Sequence, residues 1–302
     1  MNNTASITAL LSAFGRAFHA DQEINPIFAD TKARELMTEE EYAAIKAYIL
    51  NGMDFFAPEK AETFSNDEDA LRYLVYTQIA PTPLARARFC EDSLKTAMQT
   101  GTSQYVILGA GMDTFAFRES DLLKTCRVFE VDHPYTQADK LQRIQRAGWK
   151  IPDHLTYVSV NFSTDDLKSR LLQAGFDPTR KTLFSWLGVS YYLSNDAITA
   201  MLHDISCLSA EGSSLVFDYA DEQLFCSQIK RVQNMLAMAA AGGEPMQSCF
   251  DVHALQKLLE TEHFFVYEWM LPRDIQAKYF AGRGEDLTAF EHIRYVTAVY
   301  KP

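Results

Sequence analysis

Positive charge is what this 302-residue chain has least of. Lysine and arginine number 28 against 40 aspartates and glutamates, a formal net charge of -12 at pH 7 and a pI near 5.1. Nucleic-acid affinity rests on basic side chains displacing counterions, so this balance counts against a nucleic-acid partner. It counts equally against an anionic membrane surface. Cysteine is also scarce. The five present (Cys90, Cys126, Cys207, Cys226 and Cys249) are odd in number, scattered, and never form a C-x-x-C pair, which argues against a disulfide framework and a structural zinc site. No stretch approaches the ~18 apolar residues of a membrane helix; the run from Met235 to Gly243 is too short. Met1 to Leu11 has no basic start, apolar run or small-residue cleavage site. A cytoplasmic location and a small-molecule or protein substrate are the expectations, with no nucleic acid, no membrane and no metal. Nothing in the sequence fixes an oligomeric state.

What is there is an ordinary globular composition, 47% hydrophobic and 23% charged. The first hundred residues read as helical. Ile7, Leu10, Leu11, Phe14 and Phe18 recur at helical spacing. Thr38-Glu39-Glu40-Glu41 has the pattern of a capping box, opening a helix that runs to Leu50 and ends at Asn51-Gly52. A further helix is predicted from Asp67 to Ile79, stopped by Pro81 and Pro83, and another from Leu84 to Thr100.

From Gln104 onward short apolar runs alternate with helical stretches. Tyr105–Leu108, Arg127–Asp132, Thr156–Phe162, Thr182–Leu187 and Ser214–Tyr219 are predicted strands, with helices at Pro134–Ala147, Asp165–Ala174 and Asn195–Leu208 between them. That alternation means βαβ units and a parallel sheet. A helix from Val252 to Glu262 and strands at Phe264–Leu271 and Ile293–Tyr300 complete the pattern. The expectation is a single α/β domain over 1–302: a Rossmann-like, seven-stranded, mostly parallel sheet. A helical N-terminal extension covers 1–100, the core 101–302, and a helical insertion, 221–250, follows strand five. The insertion reads either as a wall of a substrate site or as plain surface packing.

Gly109-Ala110-Gly111 follows the first strand, and Asp132 ends the second, 21 positions after Gly111. Glycines let a backbone approach a ligand, and an acid at that distance accepts hydrogen bonds from ribose hydroxyls. A dinucleotide site wants a third glycine behind a pyrophosphate, whereas Thr114 stands there, preceded by Asp113. An acid beside the loop suits a ligand with cationic groups and no phosphate. These residues favour S-adenosylmethionine (SAM) over NAD. The rival for Asp132 is a capping role for the helix that opens at Pro134.

The stretch from Gln104 to Arg118, with its Gly-Asp-Thr-Arg signature at Gly109, Asp113, Thr114 and Arg118, resembles the leucine carboxyl methyltransferase-like family of class I SAM-dependent methyltransferases. Glu130-Val131-Asp132-His133-Pro134 with Lys140 is similar to the family's second motif. Pro83–Arg86, Pro26–Asp30 and Ser185–Leu193 also match, the last most like bacterial members of the small-molecule O-methyltransferase branch. The resemblance implies that SAM binds through Arg86 (its carboxylate), Gly109, Gly111, Asp132 (the ribose), Asn161 and Phe162 (the adenine) and Leu187. Tyr191 and Tyr192 are the candidate substrate contacts. Asn161 stands where family members commonly carry an aspartate, and Leu187 where the eukaryotic protein-carboxyl enzymes carry a glutamate. The second departure weakens the case for a protein C-terminus as substrate.

Methyl transfer from a sulfonium needs alignment more than chemical assistance. A carboxylate acceptor is ionised at neutral pH and needs no base; an alcohol or phenol does. No convincing base stands out: His133 reads as structural, His19 and His203 as surface residues. Carboxyl O-methylation of a small molecule is therefore the expected activity. An NAD-dependent oxidoreductase and a non-catalytic SAM-binding module are the alternatives.

Overall fold

The computed structural model describes residues 6–119, 124–162 and 164–302, so the first five residues of the expected extension lie outside it. Its seven strands are β1 Gln104–Leu108, β2 Arg127–Asp132, β3 Leu155–Ser159, β4 Thr182–Trp186, β5 Ser214–Ala220, β6 Phe264–Met270 and β7 Ile293–Tyr300. They form one sheet in the order β3-β2-β1-β4-β5-β7-β6. β1 to β5 pair in parallel, and β7 runs antiparallel between β5 and β6. This is the Rossmann-like sheet expected from the pattern. Every residue of β1, β4 and β5 is buried, because helices cover both faces; hence their largely apolar runs. β3 ends at Ser159, short of the expected Phe162. Beyond it the chain turns, with Asn161 N–H donating to the Asp165 carboxylate at 3.1 Å.

Ahead of the sheet lie α1 Ile7–Gln22, α2 Thr31–Glu35, α3 Glu39–Asn51, α4 Met53–Phe56, α5 Asp67–Leu74 and α6 Pro81–Gln99. Within the core follow α7 Phe115–Arg118, α8 Pro134–Arg146, α9 Leu167–Gln173, α10 Asn195–Cys207, α11 Lys230–Ala241, α12 Val252–Thr261 and α13 Pro272–Ile275. One face of the sheet packs Val106, Phe129 and Phe217 against Leu171, Ile205 and Leu259 of α9, α10 and α12. The other packs Tyr105, Val128 and Val216 against Phe14, Leu74 and Phe89 of the N-terminal helices. Among the described residues no helix is long and apolar enough to cross a membrane.

Two local readings resolve differently. The capping box forms as expected, Thr38 Oγ1 accepting from Glu41 N–H at 3.1 Å and Glu41 accepting from Thr38 N–H at 2.8 Å. The prolines, however, open α6 instead of merely stopping its predecessor: Pro81 occupies its first turn, where a missing N–H costs nothing. A π-helical turn over Val75–Ile79 bridges α5 to α6, so the path is almost continuous.

A buried polar cluster fastens the extension to the core. Asp30, with no exposed surface, accepts from Arg16 Nε at 2.8 Å, Thr114 Oγ1 at 2.6 Å and Ala33 N–H at 3.1 Å, and pairs with Arg118 at 3.3 Å. Arg118 also grips Glu91 of α6 at 2.5 Å, and Arg16 donates to the Met112 carbonyl at 2.7 Å. The Thr114 and Arg118 positions of the glycine-loop signature and the Asp30 of the N-terminal motif are thus two halves of one network. Burial alone would raise the Asp30 carboxyl; Arg16 and Arg118, with Thr114 donating, hold it below the usual carboxylate range instead. Its stabilising contribution is therefore present above the unfolded value near 3.9 and lost as pH falls through the lower folded one. Asp30→Ala should cost about 3–5 kcal/mol by urea unfolding at pH 7, because it leaves the buried Arg16 without a carboxylate and Arg118 with Glu91 as its carboxylate, and the gap to wild type should narrow below pH 4. A loss under 1 kcal/mol would show that the cluster contributes little.

Candidate active site

The sheet order reverses between β1 and β4, and a cavity of about 410 Å³ opens at the carboxyl ends of the strands there. Arg86, Gly109, Gly111, Asp132, Asn161, Phe162, Leu187, Tyr191 and Tyr192 all lie on its wall. Gly109 adopts φ 73°, and a Cβ there would collide with the Val189 side chain; only glycine fits the close turn out of β1. Gly111 N–H donates to one oxygen of the Asp132 carboxylate, and His133 N–H donates to the other at 2.6 Å. Each oxygen keeps a lone pair for a further donor from the cavity. Burial pushes the Asp132 carboxyl up, and the two backbone donors work against that rise. The cap of α8 is His133, whose Nδ1 accepts from Tyr135 N–H at 3.4 Å. Asp132 instead ties the glycine loop to the end of β2.

Below it, Glu130 and Lys140 form a buried pair at 2.5 Å. Burial raises the Glu130 carboxyl to about 7, with Lys140 opposing the shift. The motif lysine is thus packed beneath the loop and holds β2 against α8.

Arg86 is buried in the wall, with 14% of its side chain exposed. Its Nη1 donates to Tyr191 Oη at 2.8 Å and to Asp218 at 3.3 Å. Burial disfavours its charge, but Tyr191 and Asp218 beside it hold the guanidinium protonated beyond its ordinary range. Gly188, at φ 70°, makes this approach possible: a Cβ there would sit 2.5 Å from the guanidinium. Asp218 was not anticipated. It lies on β5 with no exposed surface, and accepts from Gly188 N–H at 2.6 Å and Tyr191 Oη at 3.3 Å. An acid inside the apolar run Ser214–Tyr219 was the available signal. Arg88, two positions on from Arg86, points outward to Asp92 at 3.0 Å.

The remaining walls come from α1, through Ala9 and Ser12, and from the insertion, through Met235, Met238 and Gly242 to Gln247 excepting Met246. Glu244 accepts from Thr8 Oγ1 at 2.5 Å and from Ser6 Oγ at 3.1 Å, so the two segments meet over the cavity. The insertion is a wall of the site. Of the histidines, His133 lies on the wall and His203 is exposed beside Glu262. His19 was expected at the surface but is fully buried. Its Nε2 accepts Ile27 N–H at 2.9 Å, and burial lowers it to about 4, so it stays neutral.

The donor set suits an adenosyl ligand with cationic groups. A carboxylate with spare lone pairs ends β2, glycine backbone lines the approach, and Asp113 sits where a pyrophosphate would be repelled. A sequence profile of the family named leucine carboxyl methyltransferase matches residues 9–206. A putative S-adenosyl-L-methionine-dependent methyltransferase of Bacillus subtilis, YktD, is 43% identical over 302 residues, 99% of each chain. The chain belongs to the leucine carboxyl methyltransferase family. It is a SAM-dependent methyltransferase, and membership decides against the oxidoreductase and the non-catalytic module. A putative S-adenosyl-L-methionine-dependent methyltransferase of Mycobacterium marinum is 33% identical over 219 residues, 72% of this chain and 67% of that one. In fold, this methyltransferase is similar to the crystal structure of a putative methyltransferase from Thermobifida fusca (TM-score 0.57, 13% identity, covering 99% and 96% of the two chains).

Arg86→Ala should weaken SAM binding most and Arg86→Lys less, since an ammonium restores charge but not the two-pronged geometry. Arg88→Ala should leave affinity unchanged. Asp218→Asn should weaken binding about tenfold, the loss of one charge-assisted contact on Arg86. Calorimetric titration of the four variants checks this; loss of binding in Arg88→Ala alone would reverse the assignment.

Proposed function

We propose that this enzyme transfers a methyl group to a carboxylate oxygen of a small molecule. Bound SAM supplies an electrophilic methyl on a sulfonium. Asp132 would hold its ribose through the lone pairs left over from Gly111 and His133. Gly109 and Gly111 would let the backbone lie against it, and Asn161, Phe162 and Leu187 would flank the adenine. Arg86, kept charged by Asp218 and Tyr191, would take the methionine carboxylate. Tyr191 and Tyr192 would face the acceptor.

The observation that carries the small-molecule reading is the contact of Glu244 with Thr8 and Ser6. It bridges the rim of the cavity, where a polypeptide substrate would need an open groove. Support for a carboxylate comes from chemistry: an ionised acceptor needs no base, only alignment and exclusion of water.

Incubation with methyl-tritiated SAM and a panel of small carboxylic acids, phenols and free-C-terminal peptides tests the reading. Label transferred to an acid and released as methanol in mild base is the expected result. Base-stable label on a phenol, or label on peptides only, would overturn it. Asp132→Ala should weaken SAM binding about ten- to a hundredfold, given roughly 1.5–3 kcal/mol for charge-assisted contacts. Asp132→Asn, which keeps one acceptor, should lose less. Unchanged affinity in both folded variants would remove Asp132 from the ribose.

A further inference from the structure

Outside the cofactor cavity the insertion and β7 bring together a serine, a histidine and an aspartate. Ser227 Oγ lies 3.1 Å from His292 Nε2, and His292 Nδ1 lies 2.9 Å from Asp221 Oδ1. The three come from separate places: Asp221 just after β5, Ser227 ahead of α11, His292 just before β7. In the neutral imidazole, an Nδ1–H donated to the Asp221 carboxylate leaves the Nε2 lone pair facing the Ser227 hydroxyl. That is the tautomer a serine nucleophile requires.

The aspartate is fixed in turn. Asp221 is buried and accepts from Arg294 at 3.0 Å and from Gln223 N–H at 3.0 Å. His292 is held in the left-handed region, at φ 62°, a conformation few non-glycine residues adopt. Backbone outliers of this kind concentrate at functional sites. A second, open cavity of about 350 Å³ adjoins Asp221 and His292, which line it with Arg294, Ile229, Leu271 and Pro272; Ser227 lies behind His292, off its wall. This cavity lies back to back with the first: Phe290 and Ile293 face the cofactor cavity, Glu291 and His292 face this one. α11 begins at Lys230, three residues on from Ser227, with Ile229 as its N-cap; Ile229 N–H donates to Ser227 Oγ at 3.3 Å, and the first-turn N–H groups of Lys230 and Arg231 are at hand for a developing oxyanion.

We propose that Ser227, His292 and Asp221 form a second, hydrolytic site acting on short acyl esters. Ser227 Oγ would attack the ester carbonyl as His292 Nε2 takes its proton. The carbonyl–alkoxide bond then breaks, and the alcohol leaves with the proton returned from His292. Water, activated by the same nitrogen, releases the acid and regenerates Ser227. The proposal is independent of the methyl acceptor.

Two probes test it on the full-length protein: p-nitrophenyl acetate turnover, and labelling by a fluorophosphonate, in which Ser227 Oγ displaces fluoride from phosphorus. The expected results are p-nitrophenol release and an adduct on the Ser227 peptide. Ser227→Ala should abolish both. His292→Asn, which tolerates the same backbone, should lower both by about 100-fold or more. SAM affinity, measured by calorimetry, should be unchanged in both variants, which certifies the fold. Wild-type protein that binds SAM yet gives no adduct at Ser227 would overturn the proposal. So would turnover that survives Ser227→Ala, which would leave the trio as a staple between the insertion and β7.

Discussion

A carboxylate with no exposed surface is costly to bury unless charge and hydrogen bonds surround it, and Asp30 is placed where four segments supply both. Arg16 reaches it from α1, Ala33 from α2, Thr114 from the glycine loop and Arg118 from α7. Arg16 and Arg118 then carry the connection outward, to the Met112 carbonyl and to Glu91 of α6. Remove the carboxylate and Arg16 keeps only the Met112 carbonyl, while Arg118 is left with Glu91 as its carboxylate. The N-terminal helices would then rely on apolar packing and on more outlying pairs, such as Arg143 and Arg146 with Glu41 of α3, to fix their position over the sheet. The cavity at the carboxyl ends of the strands has one wall on each side of that junction, so its shape depends on it.

The same device recurs around the cavity with a different balance. Asp132 is compensated mainly by backbone N–H groups, which leaves it lone pairs facing the ligand space. Asp218 is compensated by an arginine, a tyrosine and one N–H, and its work is to hold Arg86 in place. Glu130 is matched by a single lysine and is the member whose affinity for protons burial raises most plainly, to about 7. Four acids in buried settings therefore do different jobs, decided by which donors surround each. Positioning of this kind is what methyl transfer needs, since alignment supplies most of its rate.

The central sheet was legible because its physics is local. Strands covered on both faces are predominantly apolar, so β1, β4 and β5 announced themselves as apolar runs, with Ser185 and Asp218 as polar exceptions inside them. The turn from β1 into the loop demands glycine because of Val189, and a glycine pair after a strand is visible in any sequence. The signature from Gly109 to Arg118 placed the glycine loop at the cavity, although its Thr114 and Arg118 turn out to serve the junction with Asp30. Local reasoning failed where a residue had two local uses. Pro81 stops one helix and also suits the first turn of the next. His19 sits in an amphipathic helix, and no rule of spacing says that its face meets Tyr76 and the Ile27 backbone.

The sequence by itself determined the class of fold, the position of the glycine loop and the acid that faces it, because strand burial, turn geometry and the reach of a βα unit are fixed within some thirty residues. Only the tertiary structure decided which distant groups share a charge. Asp218 with Arg86, Asp30 with Arg118, Glu244 with Thr8, and His292 with Ser227 are each brought together by packing across the sheet or over its edge. Electrostatic partnership acts through a few ångströms of space and carries no period along the chain. It becomes readable once the backbone is folded.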